Sequence, residues 1–232
     1  MKTIYFLYAL PFIAFVSCKE EKKTAISTPP QEVLQVEKAD SLTAARIDST
    51  QISKPLEYKG NFKEGFRWKD KTGEYIVVTS ETGIYRNESS SREIGDSADA
   101  EVFASCYSLG NNQQIWKVND FVKDCPVDIV AEFTKNSLAV TDLDKNGTAE
   151  IWMTYKTVCH GDVSPSNMKI IMYEGTNKFA MRGESRLQYG IDDNNKPLFE
   201  GGKYTFDKAF KDGPGVFREY AEKVWNKHMN EQ

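Results

Sequence analysis

The residues with chemical potential in this chain cluster at Asp142, Asp144, Asn146, Gly147, Thr148 and Glu150. Counted from Asp142, they fall at the first, third, fifth, sixth, seventh and ninth places. Alternate side chains of a tightly curled loop aim at one centre. Gly147 supplies the positive φ that lets the backbone reverse, and Thr148 is placed to offer its carbonyl. Carboxylates, an amide oxygen and a carbonyl are the hard ligands that calcium takes, six to eight at a time. We therefore expect a calcium site at Asp142, Asp144, Asn146, Thr148 and Glu150. An EF-hand would need Glu at the twelfth place, which Met153 occupies, and helical flanks. Residues 138–141 and 151–155 are instead rich in strand formers. The plainer alternative is a type I′ hairpin turn at Asn146-Gly147, with carboxylates that only solubilise it.

The segment Asp142-Leu-Asp-Lys-Asn-Gly147, with Glu150 leading into a strand, resembles one FG-GAP repeat of integrin-like β-propellers. The pattern occurs once, so a propeller built of such repeats is not expected. The resemblance implies strand–loop–strand calcium binding. The affinity expected of an extracellular site is about 10⁻⁴–10⁻³ M.

The elements that must position this loop begin around residue 55. From there the apolar runs are short, alternate, and are punctuated by turn residues about every ten positions, which argues an antiparallel β-meander, as sandwich or partial propeller. Strands are expected at 74–80, 84–86, 101–107, 114–118, 127–133, 168–174 and 178–182, with turns at Lys71-Thr-Gly73, Thr82-Gly83, Gly110-Asn-Asn112 and Gly175-Thr-Asn177. Residues 87–98 read as an exposed polar loop. The end of the chain changes period. After Pro214, the residues Phe217, Tyr220, Ala221, Val224, Trp225 and His228 form one apolar stripe, so a C-terminal amphipathic helix should cover a sheet face.

Four cysteines are present. Cys125 and Cys159 bracket the acidic loop and its strands, and we expect a disulfide between them, with Cys106 a buried free thiol. The other pairings of Cys106, Cys125 and Cys159 stay open at this point. Without a C-x-x-C, zinc-ribbon and thioredoxin-type sites are not expected.

The N-terminus reads as an address. Met1-Lys2 precedes an apolar run to Val16 that is too short to span a membrane but sized for a signal peptide. Phe15-Val-Ser-Cys18 resembles a bacterial lipobox, although Phe15 departs from the usual Leu. That resemblance implies cleavage before Cys18 and lipidation of its sulfur and amine; several acyl chains anchor a protein stably. An ordinary secretory signal is the alternative. Lys19-Glu20-Glu21 looks like the lipoprotein export signal of Bacteroidota, which implies the outer face of the outer membrane; a solvated charge run, or a periplasmic orientation, is the alternative. Residues 24–54, without aromatics and with Pro29-Pro30, read as a flexible tether with a transient helix around 32–46. The organisation expected is thus signal peptide 1–17, lipidated Cys18 and tether 18–54, and one β-rich domain 55–232. A net charge of −4 gives a nucleic-acid partner no electrostatic support.

Three stretches resemble a family of Bacteroidota lipoproteins catalogued as surface-polysaccharide biosynthesis proteins. They are residues 66–83, then Trp116-Lys-Val-Asn-Asp-Phe121 with Cys125-Pro-Val-Asp128, then residues 141–183 with their Asp142, Glu150, Trp152, Cys159, Asp162 and Met172. The resemblance implies a role in making or binding cell-surface polysaccharide and no defined reaction. Two other functions remain: a carbohydrate-active hydrolase using paired Asp or Glu, and a protein-binding adhesin. His160 with Asp162 as orienting partner, and Ser164 or Ser166 as nucleophile, is the one other catalytic grouping by spacing. No nucleophile elbow, zincin motif or phosphate loop accompanies it.

Overall fold

Thirteen strands and two α-helices appear in the computed structural model, which describes residues 42–52, 56–86 and 97–231. The expected signal peptide, Cys18 and most of the tether lie outside the described residues, as does most of the expected loop at 87–98. The first sheet is an antiparallel meander in chain order: β1 (Thr43–Ile47), β2 (Asn61–Asp70), β3 (Gly73–Arg86), β4 (Ala98–Ser108) and β5 (Gln114–Cys125). The second contains β6 (Asp128–Phe133), β7 (Ala139–Thr141), β8 (Glu150–His160), β9 (Asn167–Glu174), β10 (Asn177–Glu184) and β13 (Tyr204–Phe206). Its order is β13-β10-β9-β8-β6, with β7 also paired to β8. A separate hairpin joins β11 (Arg186–Ile191) to β12 (Pro197–Gly201), and α1 (Lys208–Asp212) and α2 (Gly215–His228) follow.

The two sheets share a core, so of the two expected architectures the sandwich is the one formed. Val77, Val102, Ala104 and Trp116 of the first sheet meet Ile129, Ile151, Met153, Tyr155 and Tyr173 of the second. Trp116 and Tyr173 stack across the interface at 4.2 Å. The opposite face of the second sheet is also covered. There Trp152, Ile170, Met172, Phe179 and Met181 pack under Phe210 of α1 and Phe217, Ala221 and Trp225 of α2. A sheet covered on both sides should show continuous rather than alternating apolar runs, and residues 150–155 of β8 are buried without interruption. Fully burying each large apolar side chain contributes roughly 1.5–3 kcal/mol.

The helices are fixed by polar contacts as well. Asp207 caps α1, accepting from the N–H of Phe210 at 2.9 Å, and its second oxygen accepts from Ala180 N–H of β10 at 2.9 Å. Trp225 donates its indole N–H to the carbonyl of Gly202 at 3.2 Å. Pro214 is the N-cap of α2, one place earlier than its expected first turn. The disulfide joins Cys125 at the end of β5 to Cys159 near the end of β8, and Cys106 is free and buried.

Three expectations change. Residues 43–47, read as tether, form β1 because Thr43–Ile47 find the free edge of β2. Thr82-Gly83 is no turn: β3 runs through it with a register shift between Glu81 and Ile84, and Gly83 takes φ +69° there. The hairpin β11–β12 had no counterpart in the sequence reading, because its residues are mostly exposed and lack alternation.

On the outer face of the first sheet, Glu101 accepts from Lys59 at 2.8 Å, from Lys123 at 3.2 Å, from Asn119 at 3.4 Å and from the Tyr85 hydroxyl. Burial pushes its carboxyl up, but Lys59, Tyr85, Lys123 and Asn119 together outweigh that and hold it down at about 2. A depressed carboxyl contributes stability above its unfolded value and loses it as pH falls toward the folded one. Glu101→Gln should therefore lower the melting temperature at pH 7, and the gap to wild type should close between about pH 4.5 and pH 2. A gap independent of pH over that range would contradict the assignment.

Candidate metal centre

The loop 142–149 leaves β7 at Thr141 and enters β8 at Glu150, two residues that face each other in the ladder. Three side chains curl it. Asp142 accepts from Gly147 N–H at 3.1 Å, Asp144 from Asn146 N–H at 3.1 Å, and Asn146 from Thr148 N–H at 2.7 Å. These are the local side chain–backbone bonds that Asp and Asn offer in turns. Positive φ falls at Lys145 (+58°) and Gly147 (+81°), not at Asn146. The type I′ turn at Asn146-Gly147 needs it at both central residues, so that turn is not formed.

The curl brings Asp142, Asp144 and Glu150 together: one carboxylate oxygen from each lies within 4.8 Å of the others. Such a triad could bind a metal ion. Glu150 has no solvent exposure. Its oxygens accept from Leu143 N–H at 2.9 and 3.0 Å and from the Thr141 hydroxyl at 2.6 Å, and that hydroxyl accepts from the Trp152 indole at 2.8 Å. Burial dominates over these donors and raises the Glu150 carboxyl above its ordinary value, and the nearby Asp144 charge adds to the rise. One buried oxygen, Oδ1 of Asp142, has no hydrogen-bond partner among the described residues. A buried acceptor left unmatched costs about 1–3 kcal/mol, and crowded carboxylates repel. A cation removes both costs, so the donor set fits a hard divalent ion.

Two of the five expected ligands also hold the loop itself. The Asn146 amide closes the loop: its oxygen takes the Thr148 N–H, and its NH₂ donates to Asp144 at 2.9 Å and to Glu174. Thr148 enters through its N–H. Sequence reading also missed the clamp that holds the loop from outside. Asp70, almost fully buried, accepts from Ala149 N–H and from the Trp68 indole with one oxygen (3.0 and 3.2 Å). Its other oxygen accepts from Thr72 N–H at 2.7 Å and from the Thr72 hydroxyl. Lys71 adds a backbone bond to the Gly147 carbonyl (3.1 Å), and its ammonium donates to the Asn146 carbonyl. The Asx turn at Asp70 was legible as local chemistry; its reach of 79 residues to Ala149 was not.

Beside the clamp lies a cavity of about 350 Å³, lined by Trp68, Tyr75, Trp116, Thr148, Ala149 and Thr176. The acidic loop is thus one wall of an aromatic cavity.

The His160 grouping is assembled in part, from His160, Asp162 and Ser164. Ser164 donates its hydroxyl to Asp162 at 2.7 Å and lies 2.8 Å from His160 Nδ1. Asp162 also lies 3.7 Å from His160 Nδ1. Ser166 is buried and donates its N–H to Glu231 at 3.0 Å.

Comparison with protein-family models, curated proteins and solved structures finds no match to this chain. Asp70→Ala would strand the Ala149 and Thr72 N–H groups and the Trp68 indole. We expect it to cost about 3 kcal/mol or more in urea unfolding and to weaken cation binding although Asp70 contributes no ligand. Wild-type stability in that variant would remove the clamp.

Proposed function

We propose that this chain is a lipid-anchored outer-membrane protein, facing the cell exterior, whose non-enzymatic β domain is stabilised by calcium and serves the biosynthesis or binding of cell-surface polysaccharide. The observation that carries the reading is the convergence of Asp142, Asp144 and Glu150 around a buried, unmatched carboxylate oxygen. All three ligands are hard oxygens, with no cysteine or histidine among them, which favours calcium over zinc or copper. Backbone carbonyls and water complete the shell.

The anchor rests on the sequence around Cys18, and the polysaccharide role on the resemblance described above. An aromatic-walled cavity backed by the loop is in keeping with that role, because sugar rings present apolar faces that pack on indole and phenol rings.

Calcium should raise the melting temperature. Saturation at a hundredfold excess over the dissociation constant corresponds to about 2.7 kcal/mol. Asp144→Ala, which removes a ligand at the loop surface, should abolish the rise. An unchanged melting temperature across millimolar calcium would refute the site. In cells, Cys18→Ala should move the protein from the membrane to the soluble fraction and end incorporation of labelled fatty acid; retention in the membrane would refute the anchor.

A further inference from the structure

The face of the second sheet that packs on the first carries Ile171, Tyr173 and Ala180 into the shared core. By strand alternation Lys169, Lys178 and Arg182 lie on that same face. Lys169 of β9 and Arg182 of β10 are directly opposite in register, and Arg182 is opposite Thr205 of β13 on its other side. Like charges directly opposite each other destabilise a ladder. Asp120 of β5 relieves one of them: it takes the Lys169 ammonium and the Tyr155 hydroxyl, the latter at 3.0 Å. Among the described residues, Arg182, Lys178 and Lys203 have no carboxylate within ion-pair distance.

The crowding is felt within the group. Burial, and then the like charges of Arg182 and Lys169, lower the Lys178 ammonium from its ordinary value, against the pull of Asp120 and Asp207. A cavity of about 400 Å³ opens here, lined by Lys169, Arg182, Glu184, Lys203, Tyr204 and Thr205. That is within the roughly 300–1,000 Å³ typical of ligand sites. Lys178, outside that lining but on the same strand face, stands over the Tyr173 ring at 6.0 Å, and Lys169 over Tyr155 at 5.9 Å. Lys169, Lys178, Arg182 and Lys203 thus outnumber the carboxylates beside them, Asp120, Glu184 and Asp207, in a chain whose net charge is −4.

We infer that this cleft binds an acidic glycan, with the Arg182 guanidinium taking a sugar carboxylate and Lys178 and Lys203 flanking it. The inference rests on the polysaccharide reading above and gives the class of sugar: one that carries uronate-type carboxylates. Arg182 is suited to the central place because its planar fork matches a carboxylate in a two-bonded geometry that lysine lacks. The ligand's charge offsets the Lys169–Arg182 repulsion, so the cleft is built at a cost that binding returns.

The test uses the full-length chain in low-salt buffer, with and without calcium, and two probes, oligogalacturonate and its methyl ester, which keeps the backbone and loses the charge. Oligogalacturonate should bind by calorimetry and weaken as salt rises through 0.1 M, where the screening length is about 10 Å. The ester should not bind. Arg182→Gln combined with Lys178→Gln should weaken binding about tenfold or more without lowering the melting temperature, since the pair removes mutual repulsion. Undiminished binding in that variant overturns the cleft. Equal binding of the ester overturns it too, while leaving glycan binding itself in place. Binding to neither probe overturns the cleft as a uronate site and leaves the polysaccharide reading to stand or fall on other glycans. Attachment to phosphatidylglycerol vesicles without attachment to oligogalacturonate assigns the face to a lipid surface instead.

Discussion

Glu150 puts a carboxylate with no solvent exposure at the first position of the strand around which both cores are built. A buried charge is tolerated only when it is matched by donors or by a counter-ion. Here the matching groups come from the loop itself, through Leu143 and Thr141, and Thr141 is in turn braced by Trp152. The loop therefore takes its shape from the same residue that starts β8. Below it, β8 presents Ile151 and Met153 to one core and Trp152 to the other. The acidic loop is an extension of a deeply buried strand, not a surface appendage.

The first sheet reaches the same place from the other side. Asp70 has every lone pair occupied, two of them within its own turn, one by Trp68 and one by Ala149. Lys71 adds two further bonds to the loop backbone. A charged acceptor with several donors is among the stronger polar contacts in a protein. Ordering the loop and registering the two sheets thus become one event, and the aromatic cavity between them shares a wall with the loop.

Much of this was legible because it is local. Asp142, Asp144 and Glu150 converge on a spacing that can be counted, and the helix stripe delivers Phe217, Ala221 and Trp225 to the core as its period demands. The disulfide between Cys125 and Cys159 closes over the segment that those residues bracket. What escaped is long-range or exposed. Nothing in residues 43–47 separates an edge strand from a tether until β2 offers its edge. The exposed hairpin β11–β12 lacks the alternation that a half-buried strand shows. The Asp70–Ala149 bond and the Lys169–Arg182 apposition depend on register between strands far apart in sequence.

Cys106 belongs to the shared core, where it lines the aromatic cavity, and burial, aided by the Asp70 charge, raises its thiol well above the ordinary range. Thiol–disulfide exchange proceeds through the thiolate. In the folded molecule the odd sulfur is therefore withdrawn from exchange by both access and ionisation. In the open chain Cys106 is accessible too, and either pairing that uses it with Cys125 or Cys159 excludes the native bridge. The order of events thus decides the product: collapse ahead of oxidation leaves Cys106 buried beside the Cys125–Cys159 bridge, and an oxidant that arrives early meets an open Cys106.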